Sequence, residues 1–229
     1  MQAELSAFLA AEDLDELLAA RLQITSIDRA ESAALSAIVQ GWVDRQAVAN
    51  LLMYPDVIPA PDRLPALLKA LNDEETEYFV LAAVVGLQSL GEQDLPEGAG
   101  EAIATRLLEL LHHPSPTIAS RASVTLARYA PRVDVEDLLE ALEDTDADET
   151  VRHNLLVMAL SEVSPGNLRG LVQAKIAEGS LAPEVGDYVD EKLAEAGVDA
   201  NGNLAGAAEL IDTDLGAAIL APIPNFNAW

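Results

Sequence analysis

The stretch "LEDTDADETVRHNLL", Leu142 to Leu156, decides how the chain reads. Asp144, Asp146 and Asp148 alternate as the opening of a calcium loop does, yet the residues after them are spaced like a helix interior. A calcium loop of this type needs Gly at its sixth position and a bidentate Glu at its twelfth. Counted from Asp144, those positions hold Glu149 and Leu155, so both requirements fail. The stretch instead reads as a polar turn between two helices. Asp148 or Thr150 caps the second helix, and Glu149 sits at the positive end of its dipole. Arg152 is expected to fold back on the turn's carboxylates as a modest surface pair. Asp144, Asp148 and Arg152 are therefore taken as structural turn residues.

Two sister segments align with it. "LLKALNDEETEYFVLAAVVGLQSL" starts at Leu67 and "LLELLHHPSPTIASRASVTLARYA" at Leu107, beside "LLEALEDTDADETVRHNLLVMALSEV" from Leu138. Each opens with Leu-Leu and carries another Leu three residues on: Leu71, Leu111 and Leu142. That spacing puts an apolar stripe on one helix face. A polar break follows, and a second apolar helix begins near Tyr78, Ile118 and Val151. A fourth copy runs from Leu171 through the break "EGSLAPE" to Val185, Val189 and Leu193, with Gly197 as the helix stop. Helical pairs repeated every 30 to 40 residues or so bury their faces only by stacking.

The third segment resembles the HEAT-like repeat, including the version found in phycobilin-lyase-type repeats. That pattern has a leucine-rich first helix, an acidic turn and a Val-Arg pair opening the second helix, here Val151-Arg152. The other copies carry Tyr78-Phe79, Ile118-Ala119 and Val185-Gly186 at the equivalent place. The resemblance spans residues 62–198 and implies an all-α fold, a right-handed α-solenoid of HEAT-like helical hairpins. It implies a scaffold or binding surface in most members, and a lyase or nucleic-acid enzyme in a few. Fold alone does not choose among these.

Residues 1–61 read as an N-terminal helical cap. "AELSAFLAAEDLDELLAARLQ" reads as one amphipathic helix, and Arg29 to Asp56 as one or two more, interrupted near Gly41 or Asp44. Pro55, Pro59, Pro61 and Pro65 stiffen the approach to the first clear repeat. Trp42 and Tyr54 are expected to fill the core of the cap. Residues 199–229 form an irregular C-terminal tail, in which Pro222 and Pro224 forbid an ordinary helix. "DANGNL", from Asp199, fails the calcium loop at Leu204 and Leu210 and reads as a tight turn at Asn201-Gly202.

Composition narrows the function classes. The chain has 229 residues, 13 Lys and Arg against 39 Asp and Glu, and a net charge of −26, which repels phosphate backbones and anionic membranes. Only Lys69, Lys175 and Lys192 are lysines. The acidity fits a high-salt cytoplasm, a basic partner or a solvated surface. No Cys is present, which excludes disulfides and thiolate metal sites. No apolar run reaches the roughly 18 residues of a membrane span. The first residues, with Glu4, Glu12 and Asp13 and no early base, do not read as a secretory signal. A cytoplasmic protein is expected.

No nucleophile elbow, phosphate loop or dinucleotide fingerprint occurs, and no spacing around His112, His113 and His153 supports zinc. The histidines read as solvated turn residues. No catalytic residue, cofactor or metal is assigned. The leading reading is a non-catalytic protein-binding scaffold or adaptor. Its partner surface would comprise Glu184, Asp187, Asp190 and Glu191 on the last repeat, facing a basic or mixed protein surface. Phe226 and Trp229 in the tail either fold back on the chain or dock a partner, a homodimer mate included. Two rivals are a HEAT-like lyase or enzyme accessory, and an acidic nucleic-acid mimic that binds a DNA-binding protein.

Overall fold

A computed structural model describes residues 3–54, 58, 60–73, 76–90, 94–129, 132–143, 148–199 and 202. These residues form twelve helices and no strand. The helices are α1 (Ala3–Ala10), α2 (Leu14–Gln23), α3 (Arg29–Gly41), α4 (Arg45–Met53), α5 (Ala60–Leu71) and α6 (Glu77–Leu87). They continue with α7 (Ala99–Leu110), α8 (Pro116–Leu126), α9 (Val135–Leu142), α10 (Glu149–Glu162), α11 (Pro165–Glu178) and α12 (Pro183–Glu195). None of them is long and apolar enough to cross a membrane. The chain divides into two compact units, one running to Thr125 and one from Leu126.

The single N-terminal helix expected from periodicity is two helices. Asp13 ends the run by accepting a hydrogen bond from the Glu16 amide at 2.8 Å, and the Glu16 carboxylate accepts from the Glu12 amide at 3.1 Å. The first of these bonds satisfies an amide that a helix start leaves unpaired. The chain folds back there, so α1 and α2 pack together while Leu18 and Leu22 of α2 stay exposed. Asp28 starts α3 in the same manner. Its carboxylate accepts from the Ala30 and Glu31 amides at 2.8 Å, and its own amide donates to Glu31 at 3.3 Å.

The break between α3 and α4 falls at Gly41 to Asp44, as expected. Trp42 takes the left-handed conformation there, with φ 50° and ψ 39°. Such a conformation costs a bulky residue on the order of 1–3 kcal/mol. A stack of side chains holds it. The Trp42 ring lies 5.0 Å from the Phe79 ring, nearly parallel to it. The Lys69 ammonium sits 3.9 Å over Trp42, and the Arg45 guanidinium 4.8 Å from Phe79. Arg45 also reaches Asp73 at 2.9 Å and Thr76 at 3.1 Å, which fixes the cation over the ring. Trp42 thus joins three helices rather than filling a core.

In the first unit α5 packs against α6, and this pair lies beside α3 and α4, with α3 against α5 and α4 against α6. Gly86 of α6 lets the backbones touch. A Cβ placed there would lie 2.3 Å from the Leu52 carbonyl oxygen. Farther along, the buried Thr125 hydroxyl donates to the Val84 carbonyl at 3.0 Å and accepts from Gln88 at 2.9 Å, tying α8 to α6. The α7–α8 pair does not approach as closely as α5–α6. In the second unit α9 packs on α10 and α11 on α12.

The leucine positions of the aligned segments are occupied alike. Leu71, Leu111 and Leu142, which end the first helix of each aligned segment, are all buried. Near the start of each second helix Ile118 and Val151 are buried, whereas Tyr78 at the aligned place is half-buried and its neighbour Phe79 is the buried residue. Asn50 of α4 is a polar residue with no exposed surface. Its amide nitrogen donates to the carbonyls of Phe8 at 3.0 Å, Leu9 at 3.3 Å and Ala11 at 2.9 Å. Its oxygen accepts from the Tyr78 hydroxyl at 2.8 Å and from Gln46 at 3.2 Å. One amide therefore closes the carbonyl end of α1 and links it to α4 and α6.

Candidate interaction surface

Helix α12 owes its start to Pro183 in its first turn, where a missing amide hydrogen costs nothing. Val185, Tyr188, Val189 and Leu193 recur on one side and are buried. The opposite side carries the acids. Glu184, Asp187 and Glu191 are exposed, and their spacing puts them along one edge. No described residue offers any of the three a hydrogen bond or an ion pair. Asp190 is also exposed but is engaged: Arg169 of α11 donates to it at 2.7 Å and also to the Asp199 carbonyl. The four acids of the expected partner surface therefore divide into three open carboxylates and one neutralised at its flank.

Asp148 lies where the turn requires it, accepting from the Thr150 amide at 2.8 Å as the cap of α10. Asp144 lies outside the described residues, and so do Phe226 and Trp229. Arg152 departs from the expected fold-back onto the turn's acids. Its guanidinium lies 3.9 Å over the Tyr188 ring of α12. The half-buried first turn of α10 directs a long side chain over the neighbouring helix, where ring and stem pack together. Lys192 takes the place beside the turn instead, bridging Glu149 at 3.1 Å and Glu195 at 3.2 Å. Lys175 pairs with Glu136 of α9.

Burial leaves its mark on the tyrosines of the second unit. Desolvation pushes the phenols of Tyr129 and Tyr188 up to about 12, and Glu149 adds to the rise at Tyr188. An unfolded phenol ionises near 10. Between pH 10 and 12 the unfolded chain gives up these protons first and is favoured. The stability present below pH 10 is therefore expected to fall through that window. Ultraviolet difference spectra at alkaline pH should show two late tyrosines, and Tyr188→Phe should remove one of them. Ionisation of Tyr129 and Tyr188 near pH 10 in the folded chain would contradict the burial.

His112 is exposed, while half-buried His113 uses Nδ1 to accept from the Ser115 amide at 3.0 Å within its own turn. Among the described residues no three His, Asp or Glu side chains come together as a metal site would need. Asp199 and Gly202 form the expected turn, with the Gly202 amide donating to the Asp199 carbonyl at 2.9 Å and a φ of +80° at Gly202.

The chain matches no protein family, no curated protein and no solved structure at a significant level.

Proposed function

We propose that the chain is a non-catalytic, cytoplasmic protein-binding scaffold, built as a right-handed α-solenoid of HEAT-like hairpins. The α3–α4 pair beside α5–α6, and the hairpins α9–α10 and α11–α12, support the solenoid reading. A single observation carries the functional one. On α12 a buried face fixes the helix while Glu184, Asp187 and Glu191 stand exposed with no cation among the described residues. In the same unit Arg169, Lys175 and Lys192 are each engaged by another carboxylate: Asp190, Glu136 and Glu149. Three uncompensated acids on a rigid edge suit a basic or mixed protein surface. They would speed encounter more than they add affinity. Phe226 and Trp229 supply a second, apolar contact to the same partner.

Salt and truncation test this reading. Affinity capture is expected to weaken several-fold as ionic strength rises from about 0.05 to 0.5 M, since the Debye length shortens below the span of the edge. A variant ending at Ala221 should lose part of its captured partner while keeping its unfolding midpoint. Salt-insensitive capture would remove the acidic edge as the steering element. Partners that are uniformly DNA-binding proteins would turn the reading to a nucleic-acid mimic.

A further inference from the structure

The C-terminal turn of α3 and the outer side of α5 line a half-open pocket of about 280 Å³. Its apolar wall is Val39, Trp42, Pro65 and Ala66. Asp62 and Lys69 stand at its polar margin, two helical turns apart on α5, and make no ion pair with each other. Side chains on a helix lean toward its N-terminus, which brings Lys69 back toward Asp62. Of the three lysines, Lys175 and Lys192 hold carboxylates, whereas Lys69 meets only the Trp42 ring among the described residues. In a chain with 39 acids and 13 bases, an ammonium without a carboxylate is open to one from outside. Asp62 is half-buried and accepts from Gln40 at 2.9 Å on one oxygen, which leaves the other with no donor among the described residues.

These groups form a matched set: an open cation, an open anion and an apolar wall between them. Trp42 is held against that wall by the Phe79 stack in a conformation that large side chains rarely adopt. Backbone strain of this kind persists where the surrounding structure uses the geometry. The volume is near the small end of ligand pockets, which suits a molecule of amino-acid size. We infer that this cavity binds a small zwitterion of the apolar α-amino acid class. The carboxylate meets Lys69, the ammonium meets Asp62, and the side chain lies against Val39, Pro65 and Ala66, beside the edge of the Trp42 ring. This site lies on helices other than α12 and does not depend on the partner-binding reading.

The test uses full-length protein carrying Trp229→Phe, in which Trp42 is the only tryptophan. Its fluorescence is titrated with L-leucine, 4-methylpentanoate and N-acetyl-L-leucine, with calorimetry as the second readout. L-leucine should saturate, and each analogue lacking the ammonium should bind about tenfold more weakly or worse. Lys69→Met and Asp62→Asn should each cost L-leucine a similar factor. Should either variant unfold, the ligand series on the unaltered pocket decides alone. Absence of saturable binding by both readouts would overturn the inference, as would folded variants with unchanged affinity. Equal or tighter binding of N-acetyl-L-leucine would also overturn it, assigning the pocket to the carboxyl end of a polypeptide.

Discussion

Gly86→Ala is expected to destabilise the first unit by about 3 kcal/mol, although alanine is the better helix former by about 1 kcal/mol. The added methyl would lie 2.3 Å from the Leu52 carbonyl oxygen and 2.6 Å from Leu67 Cδ2. The leucine tip can turn aside. The carbonyl belongs to the backbone of α4, so relief requires the two helices to separate. Gly170→Ala in α11 is the matched control, because nothing lies within 4 Å of its added carbon. That substitution should stabilise by roughly 0.5–1 kcal/mol through propensity alone. Urea unfolding of both variants reads the difference. Two changes of the same sign would mean that α4 and α6 do not meet at Gly86.

Asn50→Leu should cost about 3–5 kcal/mol, the sum of several buried groups left unpaired. Leucine nearly matches asparagine in size and keeps the packing of α4. It leaves the Phe8 and Leu9 carbonyls without a donor and the Tyr78 hydroxyl without its acceptor. The Ala11 carbonyl keeps one bond, from Gln46 at 2.8 Å. Tyr78→Phe removes only the outermost link and should cost about 1 kcal/mol. Amide exchange should locate the first loss in α1, whose end the asparagine closes. A neutral Asn50→Leu would show that water satisfies these groups instead.

Short-range patterns in the sequence were legible, and contacts between distant residues were not. Leu71, Leu111 and Leu142 were legible because a helix stripe is a short-range pattern, and all three are buried. The cap at Asp148 was legible for the same reason. The split at Asp13 had a local signature too. An aspartate three residues before a glutamate starts both α2 and α3. At the first of these sites the leucine periodicity on either side concealed it.

Arg152, Trp42 and Asn50 were less accessible, because their partners are distant in sequence. Arg152 has acids beside it in the chain, but the ring it meets belongs to Tyr188, one hairpin later. Trp42 read as core filling, whereas its surroundings are set by Lys69 on α5 and Phe79 on α6. Asn50 lies among apolar neighbours in "AVANLLM", and nothing local shows that it closes another helix. The acidic edge of α12 was nearly complete in the sequence. Only the capture of Asp190 by Arg169 required the fold, since it joins residues from adjacent helices.

The open carboxylates of that edge are the centre of the functional proposal, and one measurement separates them from bulk charge. Glu184→Lys, Asp187→Lys and Glu191→Lys are combined in one protein. Glu97→Lys, Glu101→Lys and Glu162→Lys, all at exposed positions on other segments than α12, are combined in a second of equal net charge. Partner capture by the unaltered chain and both variants is compared at one ionic strength. The account predicts that the α12 variant loses its partner at least about tenfold, while the control stays within about twofold of the unaltered chain. Equal losses in the two variants, or none in the first, would contradict a partner site on α12.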